Sequence, residues 1–280
     1  MEYYMTDERI TEYLKALENE ERAAATIEKY RRALLNFAAF LSGAAVTPET
    51  IRLWKDELHE RNYAPSTINT YLAALNGFFH FCGWSDCRAR FLKIQHRLFR
   101  DSRQELTRAE YERLVAAAEA AGDRGLALLM ETVCSTGIRV SEVQYITVEA
   151  AKNGKAEIAL KGKIRTILLP SKLCRKLLKF AARQKTASGA IFRAKSGNAM
   201  SRYQIWSKMK KLCERAGVDA EKVFPHNLRH LFATAFYRAY KDIVKLADVL
   251  GHSSIETTRI YLVTSAAEHR RQLELLQLVS

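Results

Sequence analysis

The chain has 280 residues, 48% of them hydrophobic, and its 45 Lys and Arg against 31 Asp and Glu give a net charge of +14 at pH 7. This length suits two domains, and the strong positive charge favours nucleic acid as the partner. The sequence has no apolar run of membrane-spanning length, so we expect no membrane association.

The N-terminus, MEYYMTDERI, is polar and acidic, unlike a signal peptide. The five cysteines are odd in number and form no CxxC pair, which favours reduced thiols over disulfides or zinc ligands. We therefore expect a cytoplasmic protein.

Apolar residues at helical spacing predict a helical domain over residues 1–86. The predicted helices run from Asp7 to Leu17, Ala25 to Leu41, Pro48 to Glu60 and Ser66 to Phe81. Its aromatic residues are interpreted as core and not as base-stacking surfaces: Tyr71, Phe78, Phe79, Phe81 and Trp84.

Residues 87–105 are rich in cations and lack clean periodicity: Arg88, Arg90, Lys93, Arg97, Arg100 and Arg103. Such a run is often only a solvated surface. Between two domains of a basic protein, it favours a linker that crosses the DNA backbone and closes a clamp, because Lys and Arg neutralise phosphates without reading sequence.

A second domain is predicted over residues 106–280. Thr107 and Glu110 have capping-box spacing for a helix through Ala121, and a second helix runs from Gly125 to Cys134. Gly137 then supplies a tight turn from which Arg139 projects at the start of the next helix.

Residues 152–170 differ, because their pattern indicates two strands. Ala156 to Leu160 and Arg165 to Leu169 predict a hairpin whose turn is Lys161-Gly162-Lys163-Ile164. Further helices are predicted over Leu173 to Arg183 and Tyr203 to Gly217. Lys208 in the latter is a candidate phosphate contact.

Residues 224–262 contain most of the candidate catalytic side chains. His226, Arg229 and His230 share one face of a helix that begins at Pro225, since they are three and four residues apart. A second helix runs from Asp242 to Leu250 and ends at Gly251, and His252 follows in the turn. Ser253 and Glu256 predict a third short helix that carries Tyr261. A guanidinium can bind two phosphate oxygens, imidazole can move a proton, and a phenol can act as a nucleophile.

Four motifs in this order resemble the signature of the tyrosine recombinases, the phage-integrase and Xer-like family. They are Thr136 to Glu142 (TGIRVSE), His226 to His230 (HNLRH), Leu250-Gly251-His252, and Tyr261. The resemblance implies a mainly α fold with a small β hairpin. It implies a helical SAM-like core-binding domain over residues 1–86, a basic linker over 87–105, and a mixed α/β catalytic domain over 106–280.

The resemblance also implies site-specific recombination of double-stranded DNA through a 3′-phosphotyrosyl intermediate, with no metal or ATP. Arg139 and Arg229 would hold the scissile phosphate, Tyr261 would attack it, His226 would act as base, and His252 would donate a hydrogen bond. A hairpin lysine acts as general acid in the family. Lys161 is the first choice, and Lys163 competes because the turn is one residue shorter than the family pattern.

Several alternatives stay open. His230 either contacts the phosphate or supports the site. Ser66, Thr67 and Asn69 open a helix of the core-binding domain and could reach DNA. The apolar stripe of Leu273, Leu276 and Val279 either folds back or docks on a neighbouring protomer in a DNA-bound ring, as a homotetrameric synapse would require. A type IB topoisomerase and a catalytically silent DNA-binding protein are the rival functions.

Overall fold

The computed structural model of the chain describes residues 2–94, 105–160, 163–194, 196–261, 270–271 and 274–275. The chain divides into two compact units, Met1–His96 and Arg97–Ser280. The first unit is helical and the second combines helices with a two-stranded antiparallel sheet. The predicted fold class, mainly α with a small β hairpin, is confirmed.

The first unit contains α1 (Asp7–Asn19), α2 (Ala24–Leu41), α3 (Pro48–Glu60), α4 (Pro65–Phe81) and a 3-10 turn (Ser85–Cys87). Polar caps and prolines define the helix starts. Thr47 and Thr50 form a reciprocal capping box ahead of Pro48, and Pro65 occupies the first turn of α4. These are the positions where an N-cap hydroxyl and a missing proline N–H are favoured.

The core of the first unit is aromatic. Phe37, Trp54, Phe78 and Phe79 are almost fully buried, and Trp84 packs on Phe79. Each such ring contributes roughly 1.5–3 kcal/mol through burial of its apolar surface. The core assignment of Phe81 was wrong, since 45% of it is exposed. Phe81 is the last residue of α4, where the buried apolar face of the helix ends.

The chain after α4 lies along this helix and is held by two asparagines. Asn76 exchanges two hydrogen bonds with the backbone of Ala89, and Asn69 exchanges two with the backbone of Leu92, all at 2.8–2.9 Å. An asparagine side chain can imitate a backbone amide in this way. Asn69 is therefore used to hold this segment, which favours a structural role over the predicted DNA contact.

The second unit contains α5 (Arg108–Ala120), α6 (Arg124–Thr136), a 3-10 segment (Val140–Tyr145), α7 (Val148–Asn153), β1 (Lys155–Leu160), β2 (Lys163–Leu168), α8 (Ser171–Arg183), α9 (Arg202–Lys210), α10 (Cys213–Ala216), a 3-10 turn (Ala220–Lys222), α11 (Pro225–Tyr240), α12 (Ile243–Leu250) and α13 (Ile255–Arg259). The capping box of Thr107 and Glu110 is present. Leucines and valines of α5, α6 and α8 form its core, against which β1 and α11 place their buried faces.

The hairpin is longer than predicted. In the observed register Lys155 pairs with Leu168 and Leu160 pairs with Lys163, so the paired part of β2 already begins at Lys163. The predicted turn over residues 161–164 was therefore too long. Short connections are the commonest in antiparallel hairpins, so strand pairing continues further towards the tip than the sequence pattern indicated.

Two predicted helices of the second unit differ from the structure. The helix predicted over Tyr203 to Gly217 is α9 and α10, separated where the Leu212 N–H bonds to Met209 O in a tighter turn. α13 is capped by Ser254 and not by Ser253, and it ends at Arg259, so Tyr261 lies beyond it in a turn. Adjacent serines offer equivalent caps, and local sequence does not choose between them.

Candidate phosphate-binding site

The turn after α6 places Arg139. α6 ends at Gly137, whose φ is +65°, and a Cβ at this residue would lie 2.4 Å from Phe232 Cδ1 and 3.0 Å from Leu250 Cδ2. Glycine is required here both by the left-handed backbone and by the close approach of these two side chains. The backbone can therefore pass close to Phe232 of α11 and Leu250 of α12, and Arg139 lies beside these two helices.

A buried carboxylate fixes Arg139. Glu142 accepts the Arg139 backbone N–H at 2.8 Å and the Nη1 donor at 2.9 Å. The Glu142 side chain is 4% exposed, whereas that of Arg139 is 43% exposed. One edge of the guanidinium is thus held by a charge-assisted bond, and the group keeps a solvent-facing surface for a ligand.

Three arginines meet at the C-terminus of α12, where consecutive backbone carbonyls each accept a hydrogen bond from a different one. Arg165 donates to Val249 O at 2.9 Å, Arg229 donates to Leu250 O at 2.8 Å, and Arg139 donates to Gly251 O at 3.3 Å. The last carbonyls of a helix lack partners within it and carry its partial negative charge, so they attract cations. This helix end gathers guanidinium groups from three distant parts of the chain.

Gly251 permits this arrangement. Its φ is +63°, the left-handed conformation of a helix C-cap, and its N–H bonds back into α12. A Cβ here would lie 2.4 Å from Arg165 Cδ and 2.6 Å from Arg165 Nε. A larger residue would therefore strain the turn and push Arg165 away from the carbonyls.

Arg229 is the central cation. It is 2% exposed, and it also donates to Gly137 O and contacts His252 Nε2 at 2.9 Å. Burial lowers its pKa, and the neighbouring charge of Arg139 lowers it further. A guanidinium nevertheless stays protonated in proteins, so Arg229 brings a fixed positive charge into the interior of the site.

The cluster carries an excess of positive charge. Arg165 also binds both carboxylate oxygens of Glu142, at 3.2 and 3.3 Å. Burial lowers the pKa of Arg165 to about 10; Glu142 opposes this change, and Arg229 and Arg139 add to it. One carboxylate does not neutralise three guanidinium groups, so the site is suited to an additional anion.

His252 is held as a neutral ring. Because the Arg229 guanidinium only donates, His252 Nε2 accepts that bond, and Nδ1 then carries the proton that is donated to Thr258 Oγ1 at 2.9 Å. Burial, followed by Arg229, Arg139 and Arg165, lowers the pKa of His252 from 6.5 to about 4. The predicted hydrogen bond from His252 to a phosphate therefore requires the Nε2 proton to be gained when the anion binds.

We expect the His252 ring to stay neutral, with its proton on Nδ1, from pH 8 down to about pH 5. Nitrogen–proton NMR of the DNA-free protein, with His252→Asn to assign the signal, measures both the tautomer and the titration. Below pH 6.5 the His252 ring gains its second proton in the unfolded chain, whereas the folded chain gains it only near pH 4. Acidification towards pH 4 should therefore lower the free energy of unfolding. A midpoint near 6.5 would contradict the buried, cation-flanked position.

Tyr261 lies among three histidine rings. The centroid distances are 5.1 Å to His230, 6.0 Å to His252 with the rings nearly parallel, and 6.5 Å to His226. Tyr261 is 4% exposed, and it raises the pKa of Arg229, against the larger lowering that burial causes. The buried phenol thus lies beside the arginine cluster.

The two histidines of α11 differ in their surroundings. His226 is exposed, whereas His230 is 4% exposed, and its Nδ1 lies 3.4 Å from the hydroxyl of Thr234 one turn later. An imidazole that exchanges a proton with a ligand needs access to it. The position of His230 therefore favours the supporting role, and that of His226 the role of base.

A cleft of about 800 Å³ opens beside these residues. It is lined by Ile138, Arg139, Val140, Ser141, Arg202, Tyr203, Trp206, Phe224, Pro225, His226 and Arg229. Three predicted site residues from two separate motifs, Arg139, His226 and Arg229, thus face one cavity. Its size is typical of a ligand site, and exposed Tyr203 and Trp206 give it an aromatic wall.

The hairpin lysines are only partly described. Lys161 lies outside the described residues, as do Arg97 and Arg100 of the linker and Leu273, Leu276 and Val279 of the tail. Lys163 is the first residue of β2, and its side chain is not among those described. The choice between the two lysines therefore stays a prediction.

The other candidate DNA contacts lie at several places. Arg88, Arg90 and Lys93 are exposed on the segment that follows α4, and Ser66 and Thr67 lie in the first turn of α4. Lys208 on α9 is paired with Asp123 at 2.8 Å. An ammonium with a carboxylate partner would have to exchange it for a phosphate, which weakens Lys208 as a candidate.

Two site residues had no role in the sequence analysis, namely Glu142 and Arg165. Glu142 was part of the quoted motif, and its position three residues after Arg139 at a helix start indicates an ion pair. Arg165 was only the first residue of a predicted strand. Its contacts with Val249 and Gly251 join residues more than eighty positions apart, and periodicity carries no signal for such a contact.

Two observations on the described part of the chain concern other ligands. Among those residues there is no group of three or more His, Cys, Asp and Glu side chains that could hold a metal ion. Within the same ranges, no helix combines the length and apolar character needed to cross a membrane.

Comparison with known proteins gives consistent matches over both units. Residues 104–268 match the phage integrase family, and residues 10–85 match the N-terminal SAM-like domain of phage integrases. The chain is 29% identical to tyrosine recombinase XerA of Pyrococcus furiosus, over 96% of this chain and 94% of the relative. It is 30% identical to tyrosine recombinase XerD of Caulobacter vibrioides, over 89% of each chain.

Solved structures share the fold. A crystal structure of a lambda integrase tetramer bound to a Holliday junction superimposes with a TM-score of 0.74, over 91% of this chain and 76% of the other, at 18% identity. At that identity the likeness concerns the fold and not the residues of the site.

Proposed function

The chain belongs to the phage integrase family and is a tyrosine recombinase, and from this premise we propose that it exchanges DNA strands at specific sites through a 3′-phosphotyrosyl intermediate. One observation carries the proposal. Arg139, Arg229 and His226 line one cleft, and buried Tyr261 packs against the His226 ring and lowers the electrostatic cost of the charge on Arg229.

Cleavage would begin with binding of the scissile phosphate. Arg139 and Arg229 bind its non-bridging oxygens, whose negative charge increases in the pentacoordinate transition state. Tyr261 Oη attacks phosphorus and forms the P–O bond. His226, which is exposed on the cleft, accepts the phenol proton. About one free phenol in a thousand is ionised at pH 7, so the step needs both a base and nearby cations.

The departing group is the 5′ oxygen of the next nucleotide. The electron pair of the broken P–O bond moves to this oxygen, which takes a proton from a hairpin lysine. Lys161 is the first choice and Lys163 the alternative. His252 binds a phosphate oxygen once the anion has displaced the Arg229 donor from Nε2, because a negative neighbour favours the protonated ring.

The reverse reaction joins the strands. The free 5′-hydroxyl of a partner duplex attacks the phosphotyrosine and releases Tyr261, so the phosphodiester energy is kept in the covalent link. We propose that neither ATP nor a metal ion takes part, since the arginines supply the positive charge that a metal would otherwise provide.

The two units would divide the work. Residues 1–86 bind one face of double-stranded DNA, residues 87–105 cross the backbone, and residues 106–280 carry the chemistry. Strand exchange between two duplexes needs several active sites, so we propose a homotetrameric synapse in the cytoplasm. The tail after Tyr261 then docks on a neighbouring protomer, with folding back on its own unit as the alternative.

Covalent trapping tests this function against its rivals. Wild-type protein on a nicked duplex, in which the cleaved fragment diffuses away, should give a tyrosine-linked adduct that resists denaturation. A silent DNA-binding protein gives none. A type IB topoisomerase also gives the adduct, but it relaxes supercoiled plasmid that lacks a recombination site, whereas a site-specific recombinase does so only when that site is present.

DNA binding should weaken steeply with salt. If the protein neutralises roughly six or more phosphates, its affinity falls about a thousandfold between 50 and 200 mM salt, with a slope near −0.9 per phosphate. Arg88→Ala and Lys93→Ala should each make the slope shallower by about one, because each removes one phosphate contact. Fluorescence anisotropy over a salt series measures these slopes.

Lys176→Ala is the matched control, since Lys176 already pairs with Glu131 at 2.6 Å. Its slope should equal that of the wild type. A flat wild-type titration would exclude a protein that encircles the DNA backbone, and unchanged slopes in the Arg88 and Lys93 variants would remove the linker from the interface.

A further inference from the structure

Arg165 joins the hairpin to the arginine cluster. Its backbone belongs to β2 and pairs with Ile158 of β1. Its side chain leaves the sheet and reaches Glu142 through Nη1 and Val249 O through Nη2. A single side chain therefore connects β2, which begins at Lys163, with both the anchor of Arg139 and the end of α12.

This arrangement is costly. The Arg165 side chain is 13% exposed, and its Nε is buried with no hydrogen-bond partner within the described parts of the chain. Two other guanidinium groups lie close to it. An unpaired buried donor and like charges both destabilise a fold. A leucine or methionine could fill the same space at lower cost, so stability alone does not account for an arginine at this position.

Both contacts require a side chain with two separate donor groups. Arginine offers parallel donors in one plane, so it can bind a carboxylate and a carbonyl at the same time. Glu142 holds Arg139, while Val249 directly precedes Leu250, whose carbonyl holds Arg229. The hairpin is thereby fixed relative to Glu142, which holds Arg139, and to the residue next to the one that holds Arg229.

We infer that Arg165 is a positioning residue for strand cleavage, which fixes the hairpin so that its lysine reaches the departing 5′ oxygen. This inference rests on the proposed function. Arg165 itself touches no reacting atom. Arg139 keeps its own bonds to Glu142 and to Gly251 O without Arg165. The effect of Arg165 therefore falls mainly on the proton transfer from the lysine to that oxygen, as the phosphorus–oxygen bond breaks and the Tyr261–phosphorus bond forms.

A DNA substrate with sulfur in place of the bridging 5′ oxygen tests this directly. A thiolate, with a pKa of about 8.5 for its acid, leaves without a proton, whereas an alkoxide does not. Arg165→Gln should slow single-turnover cleavage of normal DNA by about a hundredfold, the size of a general-acid effect, and cleave the sulfur substrate within about threefold of wild type. Arg165→Lys keeps the charge but not the planar pair of donors. It should cleave normal DNA at a rate between those of the wild type and Arg165→Gln.

The controls separate the possible causes. Arg139→Ala should be slow on both substrates, because its guanidinium stabilises the non-bridging oxygens in either case. Of Lys161→Ala and Lys163→Ala, the one that removes the acid should match Arg165→Gln. If Arg165→Gln fails to fold or to bind DNA, Arg165→Lys replaces it. The ratio of its cleavage rates on the normal and the sulfur substrate then shows whether the proton transfer is affected.

Equal slowing of both substrates in the Arg165 variants would overturn the inference and leave Arg165 as a support for the arginines alone. Unchanged rates on both would remove any role in cleavage. If the wild-type protein forms no adduct with either substrate, the proposed function itself fails, and that result is distinct from the two others.

Discussion

Replacing Tyr261 by phenylalanine should abolish the covalent protein–DNA adduct on a nicked duplex and leave DNA binding unchanged. The phenol oxygen is the only atom removed, and we propose it as the nucleophile, so the expected loss is on the order of 10⁴ or more. Denaturing gels measure the adduct, and anisotropy measures the binding.

The phenylalanine ring keeps the contacts of Tyr261 with His230 and His252. The fold should therefore persist, and thermal unfolding provides the check. Tyr203→Phe is the matched control, because Tyr203 is an exposed tyrosine of the cleft that Arg139, His226 and Arg229 line, and this variant should keep the adduct. An adduct of normal yield in the Tyr261 variant would show that another side chain attacks the phosphate.

Arg139→Ala and Arg229→Ala should both abolish cleavage, yet they should differ in stability. Loss of one charged donor at the transition state costs on the order of 10³ in rate. The Arg139 side chain is 43% exposed, so its removal should change the free energy of unfolding by about 1 kcal/mol or less. Arg229 is buried on the carbonyls of Gly137 and Leu250, so its removal leaves two buried acceptors unpaired, at a cost of about 1–3 kcal/mol each.

Single-turnover cleavage measures the loss in cleavage rate, and urea unfolding measures the change in the free energy of unfolding. Lys176→Ala, which loses a charge far from these contacts in sequence and pairs with Glu131, is the control for both. Cleavage at the wild-type rate by Arg139→Ala, with DNA binding lost, would reverse the assigned role from chemistry to affinity. Equal stability of the two arginine variants would contradict the central position of Arg229.

Local sequence predicted those elements whose signals are local. The capping box at Thr107, the prolines that begin α3 and α4, and Gly251 at the end of α12 each act through their own backbone or that of near neighbours. The offsets between His226, Arg229 and His230 likewise follow from helical geometry. These features could be predicted without knowledge of any distant contact.

Predictions were wrong where two local solutions are nearly equal. Ser253 and Ser254 can both cap a helix, and the ladder of the hairpin continues to Lys163. Asn69 could face DNA or the backbone of its own unit; its hydrogen bonds with Leu92, 23 residues away, favour the second, and its contact with DNA stays a prediction.

By itself, the sequence determined which chemical groups the protein has and the order in which they occur: two arginines, three histidines and a tyrosine in motifs spread over residues 136–261. Only the tertiary structure decided that three consecutive carbonyls at the end of α12 bring Arg139, Arg165 and Arg229 together, and that His252 is a neutral acceptor. The physical reason is that helix and strand periodicity depend on neighbours a few residues apart. Burial, like-charge repulsion and carbonyl partners depend on groups that meet only when the chain has folded.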